Sequence, residues 1–284
     1  MTLDSFKPNS TTPPYPPYHK GDYLEEYFSR RWNQEISQKN RKYIDVFWTN
    51  IFCNKAFSAQ KYPNIQKFLD ETLNKNEQYF TVCQFDDGPL EKFPKETKIF
   101  SAGGNRKEGD IIPIPLICSP IPRMLVPKAS KKTIFASFIG SDTHQIRKKM
   151  IESVSNKKDY VVEISKWSVS VPIQNFYSFI KTTAFSKFSL APRGYGKSSF
   201  RLYEIMQLGS VPVYISDDHY LPWEDELNWK DFCVLIKESE IEHLDEILHS
   251  IKEDEYENML EIGKRVYEKY FTMEGMYQNI LKRI

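Results

Sequence analysis

The sequence predicts an α/β protein with parallel sheets, and three observations carry that expectation. Runs of β-branched and aromatic residues alternate with segments of helical spacing or with turn-rich loops, the order that parallel layers produce. One stretch, residues 187–223 (KFSLAPRGYGKSSFRLYEIMQLGSVPVYISDDHYLPW), reads as strand, basic glycine-containing loop, helix and strand in succession. The 284 residues, 40% of them hydrophobic, suffice for two cores, each of about 130 to 150 residues.

Residues 1–20 are polar and proline-rich and are expected to form a strap or tail. Leu24, Phe28, Trp32 and Ile36 recur every four residues and mark an amphipathic helix over 22–38. A strand follows at 43–49, then a helix marked by Ile65, Phe68, Leu69, Thr72 and Leu73. Strands are expected at 79–83 and 98–102, the first leading into Asp86-Asp87-Gly88 and the second into Gly103-Gly104. Residues 110–115 read as a short extended piece. Prolines 113, 115, 120, 122 and 127 cannot continue a helix or a sheet interior, so a linker is placed at 119–130. This divides the chain into a first domain at 21–118, a second at 131–272, and a terminal segment at 273–284.

In the second domain a strand at 133–139 turns through Gly140-Ser141-Asp142-Thr143 into a helix over 144–153. A strand at 160–164 and a helix at 173–184 precede the stretch at 187–223. There, Phe188 to Ala191 is a strand ended by Pro192, Ser198 or Ser199 caps a helix over 200–208, Gly209 stops it, and 211–215 is the next strand. A strand at 232–236, a helix marked by Ile241, Leu244, Leu248 and Ile251, and a helix over 255–270 complete the order. No internal repeat is present.

Composition excludes several classes. Lys and Arg number 39 against 38 Asp and Glu, so no basic field marks a nucleic-acid binder. No apolar run approaches the ~18 residues of a membrane span. No apolar leader precedes the first helix, so a soluble cytoplasmic protein is expected, or a trimmed one. Cys53, Cys83, Cys118 and Cys233 lack metal or disulfide spacing and read as reduced thiols.

The loop at 192–197 follows a strand and enters a helix N-terminus, where free N–H groups and the helix dipole favour an anion. Arg193, Lys197 and Arg201 add positive charge, and Gly194 and Gly196 let backbone approach a ligand. Ser198 and Ser199 offer hydroxyl and N–H donors. A phosphate or diphosphate is the expected guest, with Glu204 as a candidate acceptor from a ribose, or else the i,i+3 partner of Arg201. Residues 191–198 also fit a relaxed P-loop pattern, which would make the protein a nucleoside triphosphatase. A plain strand–helix–strand unit with a solvated turn is the reading without function.

The ordered set Pro192-Arg193-Gly194, Ser199-Phe200-Arg201-Leu202-Tyr203-Glu204, Gln207, Pro212-Val213, Ser216, Leu221-Pro222-Trp223 and Trp229 resembles the C-terminal signature of exostosin-type glycosyltransferases, glycosyltransferase family 47. Upstream, Gly140-Ser141-Asp142-Thr143 resembles that family's GSDTR segment, with His144 where Arg is common and Arg147 nearby. The likeness covers roughly residues 133–236. It implies the GT-B architecture, two Rossmann-like domains facing a cleft, in which a terminal segment such as 273–284 often crosses back to the first domain, and an inverting transfer from a UDP-sugar donor to a glycan acceptor, with xylose or galactose as the guessed sugar. The many members that are Golgi proteins carry an N-terminal anchor, so this chain departs from them and fits a soluble viral- or bacterial-type member, cytoplasmic in a host cell if viral. Gly140, Ser141, Arg193, Gly194, Ser198, Ser199, Arg201, Glu204 and Asp217 are then the candidate nucleotide-sugar ligands. No metal and no cofactor beyond the donor substrate is expected, although Asp217-Asp218 looks like a metal-binding pair. Trp223 and Trp229 either line the cleft or pack. Inversion needs a general base opposite the leaving diphosphate, and Asp86 and Asp87, just past a strand end, are the candidates. A catalytically inactive nucleotide- or sugar-binding protein is the alternative.

Overall fold

The computed structural model describes residues 6–7, 22–35, 39–53, 65–117, 120–128, 131–168 and 171–284. The chain divides into two compact units, one of residues 1–119 with 273–284 and one of residues 120–272. Each unit holds one all-parallel sheet. The α/β class with parallel sheets is therefore the fold. The proline-rich segment expected at 1–20 lies outside the described residues apart from Phe6 and Lys7, as do Ile36, Cys118 and the ends of the linker.

In the first unit the sheet runs in the order β1 (Lys42–Tyr43), β2 (Tyr79–Cys83), β3 (Lys98–Ser101) and β4 (Asp110–Pro113). Every residue of β2 is buried, as an apolar run between two neighbours in a covered parallel sheet must be. Helix α1 (Leu24–Trp32) packs Phe28 between Tyr43, Phe80 and Tyr277, with ring centroids 5.0, 5.8 and 5.1 Å away. Helix α1 is shorter than the expected 22–38, since residues 33 and 34 turn.

The strand expected at 43–49 is corrected. Pairing stops at Tyr43, and Trp48–Cys53 is a helix, α2. The buried carboxylate of Glu25, at the start of α1, accepts from the Thr49 N–H at 3.0 Å and from its hydroxyl at 2.6 Å. It satisfies the orphan donors of the first turn from another helix, and this outweighs the strand propensity of the sequence. Helix α3 (Ile65–Thr72) follows, as its spacing predicts.

In the second unit the order is β6 (Tyr160–Ser165), β5 (Ile134–Ser141), β7 (Ser186–Pro192), β8 (Val211–Ile215) and β9 (Val234–Ile236). Helices α4 (Gln145–Val154), α5 (Ile173–Phe185) and α6 (Phe200–Gln207) alternate with β5 to β8. The core joins Phe138, Met150, Phe188, Leu190, Val213, Ile236 and Leu248. Buried hydroxyls cross it: Ser186 donates to Ser137 at 2.7 Å, and Ser137 and Ser189 lie 3.1 Å apart.

Three further expectations change. Gly140 and Ser141 are not in a turn but in β5, paired with Ile164 and Ser165, because β6 runs on beside them. Pro192, by contrast, ends β7 as expected, pairing with Ile215, its missing N–H costing nothing where the ladder closes. The strand at 232–236 begins only at Val234, after a 3₁₀ turn at Trp229–Asp231, and the helix around Ile241 splits into a 3₁₀ turn, Glu238–His243, and helix α7 (Leu244–Ser250). Helix α8 (Glu253–Tyr270) ends the second unit and α9 (Met273–Leu281) packs on α1 of the first, where Arg31 pairs with Glu274 at 2.9 Å. Among the described residues no helix is long and apolar enough to cross a membrane.

Candidate active site

The loop between β7 and α6 is built by three devices. Arg193 N–H closes the ladder onto the Ile215 carbonyl at 3.2 Å. Ser199 caps α6, its hydroxyl accepting from Arg201 N–H at 3.3 Å. The buried Arg147 of α4 donates to the carbonyls of Ser141 (2.7 Å), Arg193 (3.1 Å) and Pro192 (3.3 Å), binding the ends of β5 and β7 to each other. Gly194 lies against this staple: a Cβ there would sit 3.1 Å from Thr143 Oγ1 and 3.2 Å from Arg147 Nη2. The glycine is thus favoured by close approach, since any Cβ would press on these side chains, and not by an unusual φ.

The result is a set of donors at the carboxyl ends of β5 and β7. Arg193 curls over its own loop, donating to the carbonyls of Gly194 (3.4 Å) and Tyr195 (3.3 Å), and stays half-buried. Ser198 is 4% exposed, and neither its hydroxyl nor that of Thr143 has a partner. An unpaired buried hydroxyl is costly, and a ligand oxygen would satisfy it. His144 caps α4, Nδ1 accepting from Ile146 N–H at 3.3 Å. Burial first, then Arg193 and Arg147, hold its pKa below the ordinary value, against an opposing pull from Glu238.

Other candidates are engaged elsewhere. Lys197 pairs with Asp218, and its carbonyl accepts from the Tyr214 hydroxyl at 2.9 Å. Asp217 accepts from Glu238 N–H at 2.8 Å and so caps the 3₁₀ turn. Arg201 lies 3.6 Å from the buried Glu204 and 3.8 Å above the ring of Phe179, which is the ion-pair reading of the two charges. Trp223 and Trp229 are buried and pack; Trp229 donates to the Pro222 carbonyl at 2.9 Å and lies tilted against Phe271, ring centroids 5.2 Å apart. Gln207 clamps the proline-rich segment through both backbone groups of Ile121, at 3.0 and 3.2 Å.

Asp86 and Asp87 belong to the first unit, in the turn after β2. Glu25 anchors this turn, accepting from Gln84 N–H at 3.1 Å with the same oxygen that holds Thr49. Gly103 permits it, since a Cβ there would lie 2.1 Å from Asp86 Cα. Asn105 N–H donates to the Asp86 carbonyl at 3.0 Å, and Asn105 Nδ2 to Asp87 Oδ1 at 3.0 Å. The two carboxyls differ in setting. Burial, with the neighbouring Asp87 charge adding to it, pushes Asp86 up to about 7. A carboxyl tuned near neutrality at a strand end is suited to proton transfer.

Glu25 was not legible as part of this arrangement. In sequence it is one of two acids in the first turn of a helix, where such residues ordinarily face water. Arg147 was visible only as a neighbour of the Gly140 segment.

The Exostosin GT47 domain model matches residues 80–251. A probable glycosyltransferase of Arabidopsis thaliana is 32% identical over 133 residues, 47% of this chain and 24% of that protein. An exostosin-1 homolog of Caenorhabditis elegans is 31% identical over 108 residues, 38% of this chain and 28% of that protein. A probable beta-1,4-xylosyltransferase of Arabidopsis thaliana is 42% identical over 64 residues, 22% of this chain and 15% of that protein. The chain therefore matches about a quarter or less of the length of each of these relatives. Among solved structures, the crystal structure of TarM superposes with a TM-score of 0.46 at 11% identity, covering 78% of this chain and 52% of that one. The pneumococcal O-GlcNAc transferase GtfA in complex with UDP and GlcNAc gives 0.40 at 12% identity, covering 78% and 46%. The family match takes in the Asp86 turn, the Arg147 staple and the whole basic loop, and on that ground the chain belongs to the Exostosin GT47 domain family of glycosyltransferases.

Proposed function

We propose that the chain is an inverting glycosyltransferase of GT-B architecture. It takes a sugar, xylose or galactose, from a UDP-sugar and places it on a glycan acceptor. The observation that carries this reading is the buried, unpartnered hydroxyl of Ser198 beside Arg193 and the Gly194 approach, at the N-terminus of α6. Those groups suit the oxygens of a diphosphate, and Gly140, Ser141 and Thr143 at the end of β5 lie beside them through the Arg147 staple.

In the reaction the acceptor oxygen bonds to the anomeric carbon as the bond to the diphosphate oxygen breaks. The acceptor proton passes to Asp86, and the negative charge that develops on the leaving diphosphate is met by Arg193 and the loop N–H groups. Metal independence belongs to the same reading, because Asp217 and Asp218 already cap a turn and pair with Lys197. That pairing also speaks against the P-loop alternative, in which the lysine must reach phosphate.

The test is calorimetric titration with UDP, followed by UDP release from UDP-xylose and UDP-galactose with xylan- and galactan-type oligosaccharides as acceptors. Binding with turnover supports the enzyme. UDP binding without transfer to any acceptor points to a binding protein, and Mg²⁺-dependent ATP or GTP hydrolysis would restore the P-loop reading.

A further inference from the structure

His144 occupies a constrained seat. It is the N-cap of α4, with extended backbone at φ −156° and ψ 144°, and its Nδ1 accepts the Ile146 N–H. A ring nitrogen that accepts carries no proton, so the neutral ring holds its hydrogen on Nε2. The charges that act on the ring come from three elements: Arg193 after β7, Arg147 on α4, and Glu238 after β9. The ring also follows Thr143, whose orphaned hydroxyl abuts Gly194.

We infer that His144 is a donor-substrate contact, a neutral imidazole held by the helix cap as the Nε2–H tautomer, whose Nε2–H donates to an oxygen of the bound diphosphate. This rests on the reading of the basic loop as a diphosphate site. The cap and the cation set act together. The two guanidiniums and burial oppose a second proton, and that proton would have to sit on Nδ1, where it breaks the cap of α4. The ring is thereby kept as a fixed, directional donor instead of a mobile cation. Arg193 supplies charge, and His144 supplies orientation. An arriving diphosphate brings negative charge to the ring and raises its proton affinity.

The experiment uses the full chain labelled at histidine with ¹³C and ¹⁵N, the His144 signals being assigned by their loss in His144→Asn. At pH 8 the free protein is expected to show a bare Nδ1 and a protonated Nε2, with a titration midpoint below 6.5, the usual value. Saturating inorganic pyrophosphate or UDP is expected to move the signals and raise the midpoint, while uridine leaves them in place. Asparagine is among the best N-caps, so His144→Asn should melt like the wild type yet bind UDP more weakly by about tenfold or more, the scale of one hydrogen bond to a charged group. His144→Ala should lose the cap and melt lower. A protonated Nδ1 in the free protein, signals unmoved by UDP that binds normally, or wild-type affinity in His144→Asn each overturns the inference while leaving the diphosphate site standing. Wild-type protein that binds neither pyrophosphate nor UDP overturns both.

Discussion

Asp86 offers the sharpest test of the chemistry, because its setting gives a number. Its carboxyl is pushed up to about 7 by burial and by Asp87. A general base must be ionised to accept a proton. With a midpoint near 7, about one tenth of the molecules carry the base form at pH 6 and about nine tenths at pH 8. The rate with saturating donor and acceptor should therefore rise about tenfold between those two values. Replacing Asp86 by Asn should remove that limb and slow transfer by about a hundredfold or more, with UDP affinity unchanged. Stability supplies a second readout of opposite sign. A carboxyl whose pKa is raised by folding weakens the fold as it ionises, so the wild type should lose stability as pH rises from about 4 through about 7. Asp86→Asn, lacking that charge, should melt at the same temperature as the wild type or higher at pH 8. The assay is UDP release across pH 5.5–9, run beside thermal melts of both proteins. A flat wild-type profile between pH 6 and 8, or an Asp86→Asn variant that transfers at the normal rate, would refute Asp86 as the base.

The remaining expectations are briefer. Arg193→Ala should weaken UDP binding or slow transfer by about tenfold or more, since a hydrogen bond to a charged group contributes roughly 1.5–3 kcal/mol; titration calorimetry and the release assay read it, and unchanged values in both refute the site. Gly194→Val should displace the loop, because even a Cβ meets Thr143 Oγ1 at 3.1 Å and Arg147 Nη2 at 3.2 Å; loss of UDP binding with a folded circular-dichroism spectrum is the expected result, and wild-type affinity the contrary one. Transfer should persist in excess EDTA, and a complete loss restored by Mg²⁺ or Mn²⁺ would show that Asp217 and Asp218 hold a cation. Glu25→Ala should lower stability by about 1–3 kcal/mol or more in denaturant melts, as the Thr49 and Gln84 donors it holds are buried; a variant as stable as the wild type would contradict its anchoring role.

The sequence by itself determined the parts whose signals are local. Strands 79–83 and 211–215 were readable to the residue, since an apolar β-branched or aromatic run between turn residues has few other uses in a chain of this composition. The Ser199 cap, the Gly209 stop at φ +73° and the basic loop between them are likewise short-range features, fixed by the chemistry of neighbouring residues. The ordered motif from Pro192 to Trp229 named the family for the same reason. Tertiary structure decided what depends on a distant partner. Residues 48–53 became a helix because Glu25, two dozen positions away, accepts the Thr49 donors. Gly140 and Ser141 stayed in a strand because β6 continued beside them. Arg147 joined the donor loop because three carbonyls from two strand ends converge on its guanidinium. Asp86 owes its raised pKa to burial first and to the Asp87 charge second, and desolvation is a property of the folded surroundings that leaves no trace in the order of residues.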